Sequence, residues 1–157
     1  MADTIPAITV WQPWATLIAL KLKPWEFRKW PAPKSLVGRR LAIHAGARPM
    51  KKDELKELLL MLRKEGEMGT GLEVEPSIEL LERCLAGLAL PLSHIVCTVR
   101  LGTPILASQL PARYVDSDRI NHQMFAWPME EVRALEPPVP ATGAQGFWNW
   151  KGADAHG

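Results

Sequence analysis

Lys23, Glu26 and Arg28 fall within a six-residue span, with tryptophans on both sides in Trp11-Gln12-Pro13-Trp14 and at Trp25 and Trp30. A carboxylate in such company can accept from an exocyclic base amine or move a proton. A guanidinium offers a planar fork to phosphate or to the edge of guanine. Lys23 supplies a second cation that would hold Glu26 ionised. Indole rings add flat apolar faces on which any nucleobase can stack. Read alone, a glutamate and an arginine two apart on a strand form a solvated ion pair contributing less than about 1 kcal/mol. A single tryptophan is likewise first of all a packing residue. The chemistry therefore requires these groups to meet in a groove.

The elements that would bring them there are short. Ile8 to Trp11 reads as a strand, and Pro13 suits a first helical position. Trp14, Leu17 and Ile18 give an apolar stripe for a helix ending near Leu20 to Leu22. The junction at Trp11-Gln12 would leave unpaired N–H groups suited to an anion or a carbonyl oxygen. From Trp25 to Trp30 the residues alternate, with Trp25 and Phe27 on one face and Glu26, Arg28 and Trp30 on the other. Pro31 and Pro33 stop that strand, and Arg40 to Ala45 is another, ending near His44.

Further along, Lys51 to Lys64 is the clearest helix, with Leu55, Leu58, Leu59 and Leu62 as its buried stripe and Gly66 as its terminator. An acidic connection over Glu65 to Glu75 leads to a second helix, Ser77 to Ala86, with Ile78, Leu81 and Leu85 inward. Ile95 to Leu101 returns to strand periodicity, and Gly102 and Pro104 predict a kink before Ile105-Leu106. Arg113 to His122 reads as a polar loop or short helix. Phe125 to Trp127 and Val132 to Leu135 read as separate strand fragments, followed by an extended link through Pro137, Pro138 and Pro140. Gly143 to Gly146 is a turn and Phe147 to Trp150 a last strand. The expected fold is α+β: a single domain over residues 1–157, a small β-barrel of about five to six strands with an N-terminal helix and a two-helix insertion near residues 50–90.

A chain of 157 residues with 47% apolar and 23% charged residues can bury a sizeable core without disulfides. The net charge of +2 is too small to argue for tight binding to a long polyanion, but it is unevenly spread. Residues 1–52 hold ten Lys and Arg against two acids, residues 53–82 three against nine, and the remainder six against six. The positive excess thus lies with the opening motif, as a locally bound anion would require. Met1-Ala2-Asp3-Thr4 shows neither a basic region nor an apolar run, no stretch is apolar enough for a membrane span, and two cysteines make no disulfide framework. The expectation is a cytoplasmic protein with no membrane partner.

His44, His94, His122 and His156 are widely spaced, and Cys84 and Cys97 lie in no metal-binding pattern, so no metal and no cofactor are expected. Phosphate-binding glycine loops and the G-x-S-x-G elbow are missing from the sequence. Both cysteines fall on inward positions and read as core residues.

Lys21-Leu22-Lys23-Pro24-Trp25-Glu26-Phe27-Arg28 resembles the hallmark G-x-K-x-x-E-x-R of ASCH domains, a branch of the PUA-like superfamily, with Lys21 in place of the glycine. Thr9 to Ala15, Leu41 to Ala45, Phe125-Ala126-Trp127 and the ending Gly143-Ala144-Gln145-Gly146-Phe147-Trp148 resemble the same family in the expected order, across nearly the whole chain. The resemblance implies a barrel with a cleft beside the first helix, lined by the hallmark residues and binding RNA or nucleotides. Some members look like ribonucleases, and one small type removes acyl groups from N4-acylcytidines, with a threonine where this chain has Glu26.

The leading expectation is therefore binding of single-stranded RNA or a nucleotide-like ligand in that cleft. Lys23 and Arg28 would hold phosphate or a base edge and Glu26 a base amine. Trp11 or Trp14 would stack, Gln12 and Gln145 would read polar edges, and His44 and Trp148 would complete the lining. The alternative is a hydrolase on the same site, either a metal-independent ribonuclease or an amidohydrolase of N4-acylated cytidine nucleosides. There Lys23 would be nucleophile or base, and Glu26 would shuttle protons. In a third reading the helical insertion docks a protein partner.

Overall fold

A computed structural model describes residues 4–110 and 125–152. The polar segment read at Arg113 to His122 lies outside the described residues, as does His156. Chain order is β1 (Ile5–Val10), α1 (Trp14–Ala19), β2 (Trp25–Arg28), β3 (Arg40–Ala45), α2 (Lys52–Thr70), α3 (Val74–Leu85), β4 (His94–Leu101), β5 (Ile105–Leu106), β6 (Phe125–Pro140) and β7 (Trp148–Trp150). The class is α+β, as expected.

The sheet runs β2-β6-β4-β3-β1-β7, with β5 also paired to β6. Among the described residues only β1 and β3 are parallel, joined through α1 and β2. Here the barrel expectation is corrected: among the described residues there are seven strands rather than five or six, and the sheet is not closed. No ladder joins β2 to β1 or β7 among the described residues. The cause lies in β6. Its residues Phe125 to Pro128 pair with β2, and Met129 to Pro140 pair with β4, so one long strand passes from one sheet to the next. Glu131, at φ 44°, lies just after that exchange. The result brings β2 face to face with β1 across an open seam, where Arg28 reaches the Thr9 carbonyl at 3.4 Å.

The fragments read at Phe125 and Val132 are thus one strand, and Pro137, Pro138 and Pro140 sit in it rather than in a link. Beyond Met129 the strand has, among the described residues, a ladder partner on one side only, β4, which is where proline's missing donor is tolerated.

α1 is clamped at the centre. Ala15 and Ile18 pack on the sheet core with Ile8, Leu41, Ile43 and Val99, whereas Leu17 enters a second cluster with Leu55, Leu62, Leu72 and Leu81. The leucine stripe of α2 is therefore covered by α1 and α3. α3 buries Ser77, Leu80, Leu81 and Cys84, so its inward face is shifted from the expected Ile78-Leu81-Leu85 stripe, although Ile78 and Leu85 still border the cluster. Gly66 (φ 63°, ψ −147°) interrupts α2 where a terminator was expected, but a further turn follows to Gly71. The acidic connection is consequently short, and most of it is helical.

After α1 the chain reverses tightly. Leu22 and Lys23 N–H groups both donate to the Leu17 carbonyl, at 2.9 and 3.2 Å. Lys21 takes φ 64°, the left-handed region that favours glycine. That turn delivers Lys23 to the base of β2.

Candidate functional site

Glu26 lies between two cations. Its Oε1 is 3.2 Å from Lys23 Nζ and its Oε2 accepts from Arg28 NH2 at 2.9 Å. Lys23 is only 4% exposed and Glu26 9%, so this is a buried triad and not the solvated pair that spacing alone suggests. Burial by itself would raise the Glu26 carboxyl, but the charges of Lys23 and Arg28 and their hydrogen bonds outweigh it and hold the group below the usual carboxylate range. Lys23 Nζ also donates to the Trp25 carbonyl and lies 5.3 Å from the Phe27 ring centroid. Lysine is thus the floor of the triad.

Arg28 is the member that faces outward. Its side chain is 34% exposed, and its guanidinium lies 5.9 Å from the Trp127 ring centroid. Among the described residues only its NH2 is hydrogen bonded, to Glu26 and to Thr9, and Nε–H has no partner. Because that Nε–H is buried, the donor capacity left beside open space is that of NH1.

Two adjoining cavities occupy the seam. One, of about 540 Å³, is walled by Thr9, Val10, Trp11, Trp14, Lys23, Glu26, Phe27 and Arg28. The other, of about 790 Å³, lies between Trp30, Trp127, His44 and the turn Thr142 to Phe147. Trp127 and Phe147 stack at 5.9 Å between centroids with an interplanar angle of 4°. Trp127 Nε1 donates to the Trp30 carbonyl at 3.0 Å, which fixes the wall from which Trp30 projects, 67% exposed.

The structure thus brings Trp11, Trp14, Lys23, Glu26 and Arg28 to one groove, with His44 and Gln145 in its second chamber. It does not bring Gln12 there. Gln12 is buried, donating to the Pro91 carbonyl at 2.9 Å and accepting from Thr16 N–H at 3.0 Å. The expected anion-binding junction is corrected by the same contact. Ala15 N–H is taken by the Trp11 carbonyl, Leu17 N–H by Pro13, and α1 begins at Trp14, one residue later than Pro13 at its first position would require. Trp148 is half-buried with its edge on the His44 ring, at 5.4 Å between centroids, and supports the lining from behind.

His44 is a fixed neutral ring. Nε2–H donates to the Ala141 carbonyl at 2.7 Å, which leaves Nδ1 to accept from Thr9 Oγ1 at 3.0 Å. Burial holds the imidazole below its ordinary value, against the opposing hydrogen bond to Ala141. Gly143 lies against this pair so closely that a Cβ there would sit 2.6 Å from the ring.

Trp30, Trp127 and Phe147 had a readable signal. Trp30 shares the alternating face of Glu26 and Arg28, and Phe147 stands in the ending that resembles the ASCH pattern. Arg48 had none. It lies over the Trp11 ring at 4.2 Å and binds Glu54 through two contacts of 3.1 and 2.6 Å, which ties α2 to the groove wall.

Among the described residues no group of three His, Cys, Asp or Glu side chains could hold a metal ion, and no helix is long and apolar enough to cross a membrane. Cys84 and Cys97 are free and buried, and burial pushes the Cys97 thiol up to about 12. Neither scanning protein-family models nor searching curated proteins finds a match to this chain.

Proposed function

We propose that the seam between β1 and β2 binds single-stranded RNA or a nucleotide-like ligand. One observation carries this. Every exposed large aromatic side chain among the described residues, namely Trp11, Trp30 and Phe147, lines the chamber beside Arg28. Large rings left in water at one place are costly unless something covers them. A nucleobase is the flat partner that an adjacent guanidinium with spare donors also suits. Arg28 is the phosphate or base-edge contact, Lys23 keeps Glu26 ionised beneath it, and the remaining lone pairs of Glu26 accept a base amine.

The resemblance to ASCH domains supports this reading, because Lys21 adopts a left-handed conformation at the position where that family carries glycine. The cytoplasm remains the proposed compartment, since both cysteines are unpaired. The leucine stripe once open to a protein partner is already covered, which leaves RNA as the favoured one.

Titration with a short single-stranded RNA at low salt tests the proposal. Saturable binding with a shallow salt slope is expected, falling about tenfold or more in Arg28→Ala. No saturation, or an unchanged Arg28→Ala, refutes it. Product analysis with the same RNA and with N4-acetylcytidine is the companion measurement. Turnover abolished by both Lys23→Ala and Glu26→Ala would replace binding with hydrolysis.

A further inference from the structure

The seam holds two chambers, and they differ in chemistry. They share only Thr9, Trp11 and Arg28. The first contains the Glu26 carboxylate over Lys23. The second has no carboxylate among its described lining residues, and its exposed rings are Trp11, Trp30 and Phe147. Each volume, about 540 and 790 Å³, falls within the roughly 300–1,000 Å³ of a complete small-molecule site. A single nucleoside would fill one chamber and leave the other wet.

Charge adds a second constraint. Lys23 and Arg28 against Glu26 leave one net positive charge in the triad. A terminal phosphate brings about −1.5 to −2 at neutral pH, whereas a phosphodiester brings one negative charge. The internal linkage is the better match.

We infer that the ligand is a strand of at least two consecutive nucleotides, with one base on the Trp30–Phe147 shelf, its neighbour at Glu26, and the phosphodiester between them at Arg28. This rests on the nucleic-acid reading above and narrows it. The groove selects a dinucleotide step over a free nucleotide. Glu26 accepts from an amino-bearing base in the first chamber, while the aromatic chamber accepts any base, since stacking is tolerant of sequence.

Calorimetric titration of the full chain with cytidine 5′-monophosphate, adenosine 5′-monophosphate and the dinucleoside monophosphates CpA and ApC is the test. At least one dinucleotide is expected to bind about tenfold or more tightly than either mononucleotide. Trp30→Ala should cost the dinucleotide about tenfold and erase its advantage over the mononucleotides. Trp30 is exposed, so this variant should keep its fold, checked by its unfolding midpoint. Equal affinity for mononucleotides and dinucleotides overturns the two-chamber inference and leaves the binding function standing. A dinucleotide advantage untouched by Trp30→Ala overturns the placement of a base on the shelf. If neither the small ligands nor the longer RNA bind, the function itself falls.

Discussion

Lys21 is exposed and sits at φ 64°, so its side chain gains nothing from packing while its backbone occupies a conformation costing most residues about 1–2 kcal/mol. Glycine would remove that strain and return part of the gain through a freer unfolded chain. Lys21→Gly is expected to stabilise the domain by up to about 1 kcal/mol, read as a higher urea midpoint with an unchanged slope. Two residues on, the balance reverses, because Lys23 and Glu26 are buried together. Glu26→Gln leaves the Lys23 ammonium without its anion and should cost about 3–5 kcal/mol at neutral pH. The same carboxylate sets the acid response. Its folded value lies below the ordinary 4.5, so the stability it contributes is complete above that pH and is lost as pH falls through the lower folded value. The His44 imidazole is held below 6.5, so the unfolded chain takes up a proton that the buried ring resists, and its contribution begins to fall earlier, as pH drops through 6.5. Denaturant midpoints measured from neutral pH into the acid range should therefore decline in two stages. Glu26→Gln should diminish the later stage, which Glu54 beside Arg48 shares, and an unaltered acid limb would show that the triad does not contribute to it.

At the scale of elements, Arg48 ties the start of α2 to the groove wall. Arg48 lies on the Trp11 ring and grips Glu54 in the first turn of α2, so the helix start and the groove wall share one guanidinium. Glu54 is exposed and Arg48 half-buried, so Arg48→Ala should move the unfolding midpoint only slightly. It should nevertheless weaken the proposed RNA binding about two- to fivefold by releasing Trp11, as measured by titration beside a melting curve. Equal affinity would mean that Trp11 is held by its other neighbours. This contact also marks where the sequence stops being readable. β3 was legible because Gly46 and Pro49 punctuate the end of Arg40 to Ala45, and the α2 stripe followed from four leucines at helical spacing. The convergence of Glu26 and Arg28 was legible as alternation, but β2 ends at Arg28, short of the expected Trp30, so Trp30 reaches the chamber from beyond the strand. The length of β6 was not, because Pro137, Pro138 and Pro140 read as breakers unless one already knows that the strand has lost its second neighbour there. Gln12 misled for a related reason. Its place at a strand–helix junction looked receptive, but whether its amide is free depends on Pro91, far along the chain.

For the whole molecule, the question is whether the helical insertion is a separate body or part of one cooperative unit. Its core, built on Leu55, Leu58, Leu59, Leu62, Leu72, Leu80 and Leu81, contains no residue of the sheet. Yet α1 contributes Leu17 to that cluster and Ala15 and Ile18 to the sheet cluster, and Trp14 packs against both while lining the groove. A six-residue helix has no independent stability, so α1 persists only while both sides hold it. Loss of either cluster should therefore release α1, with it the turn that delivers Lys23, and then the other cluster. Leu62, 1% exposed at the centre of the helical core and far in sequence from the groove motif, is the residue to test. Leu62→Ala should cost about 2–5 kcal/mol. If α1 couples the two cores, far-UV circular dichroism, dominated by α2 and α3, and tryptophan emission, dominated by the sheet and groove, should shift together to one lower midpoint. Helicity lost at lower denaturant than the tryptophan signal would instead make the insertion an independent body. The groove would then be a property of the sheet alone, and its ligand affinity should survive in the range where the helices have already melted.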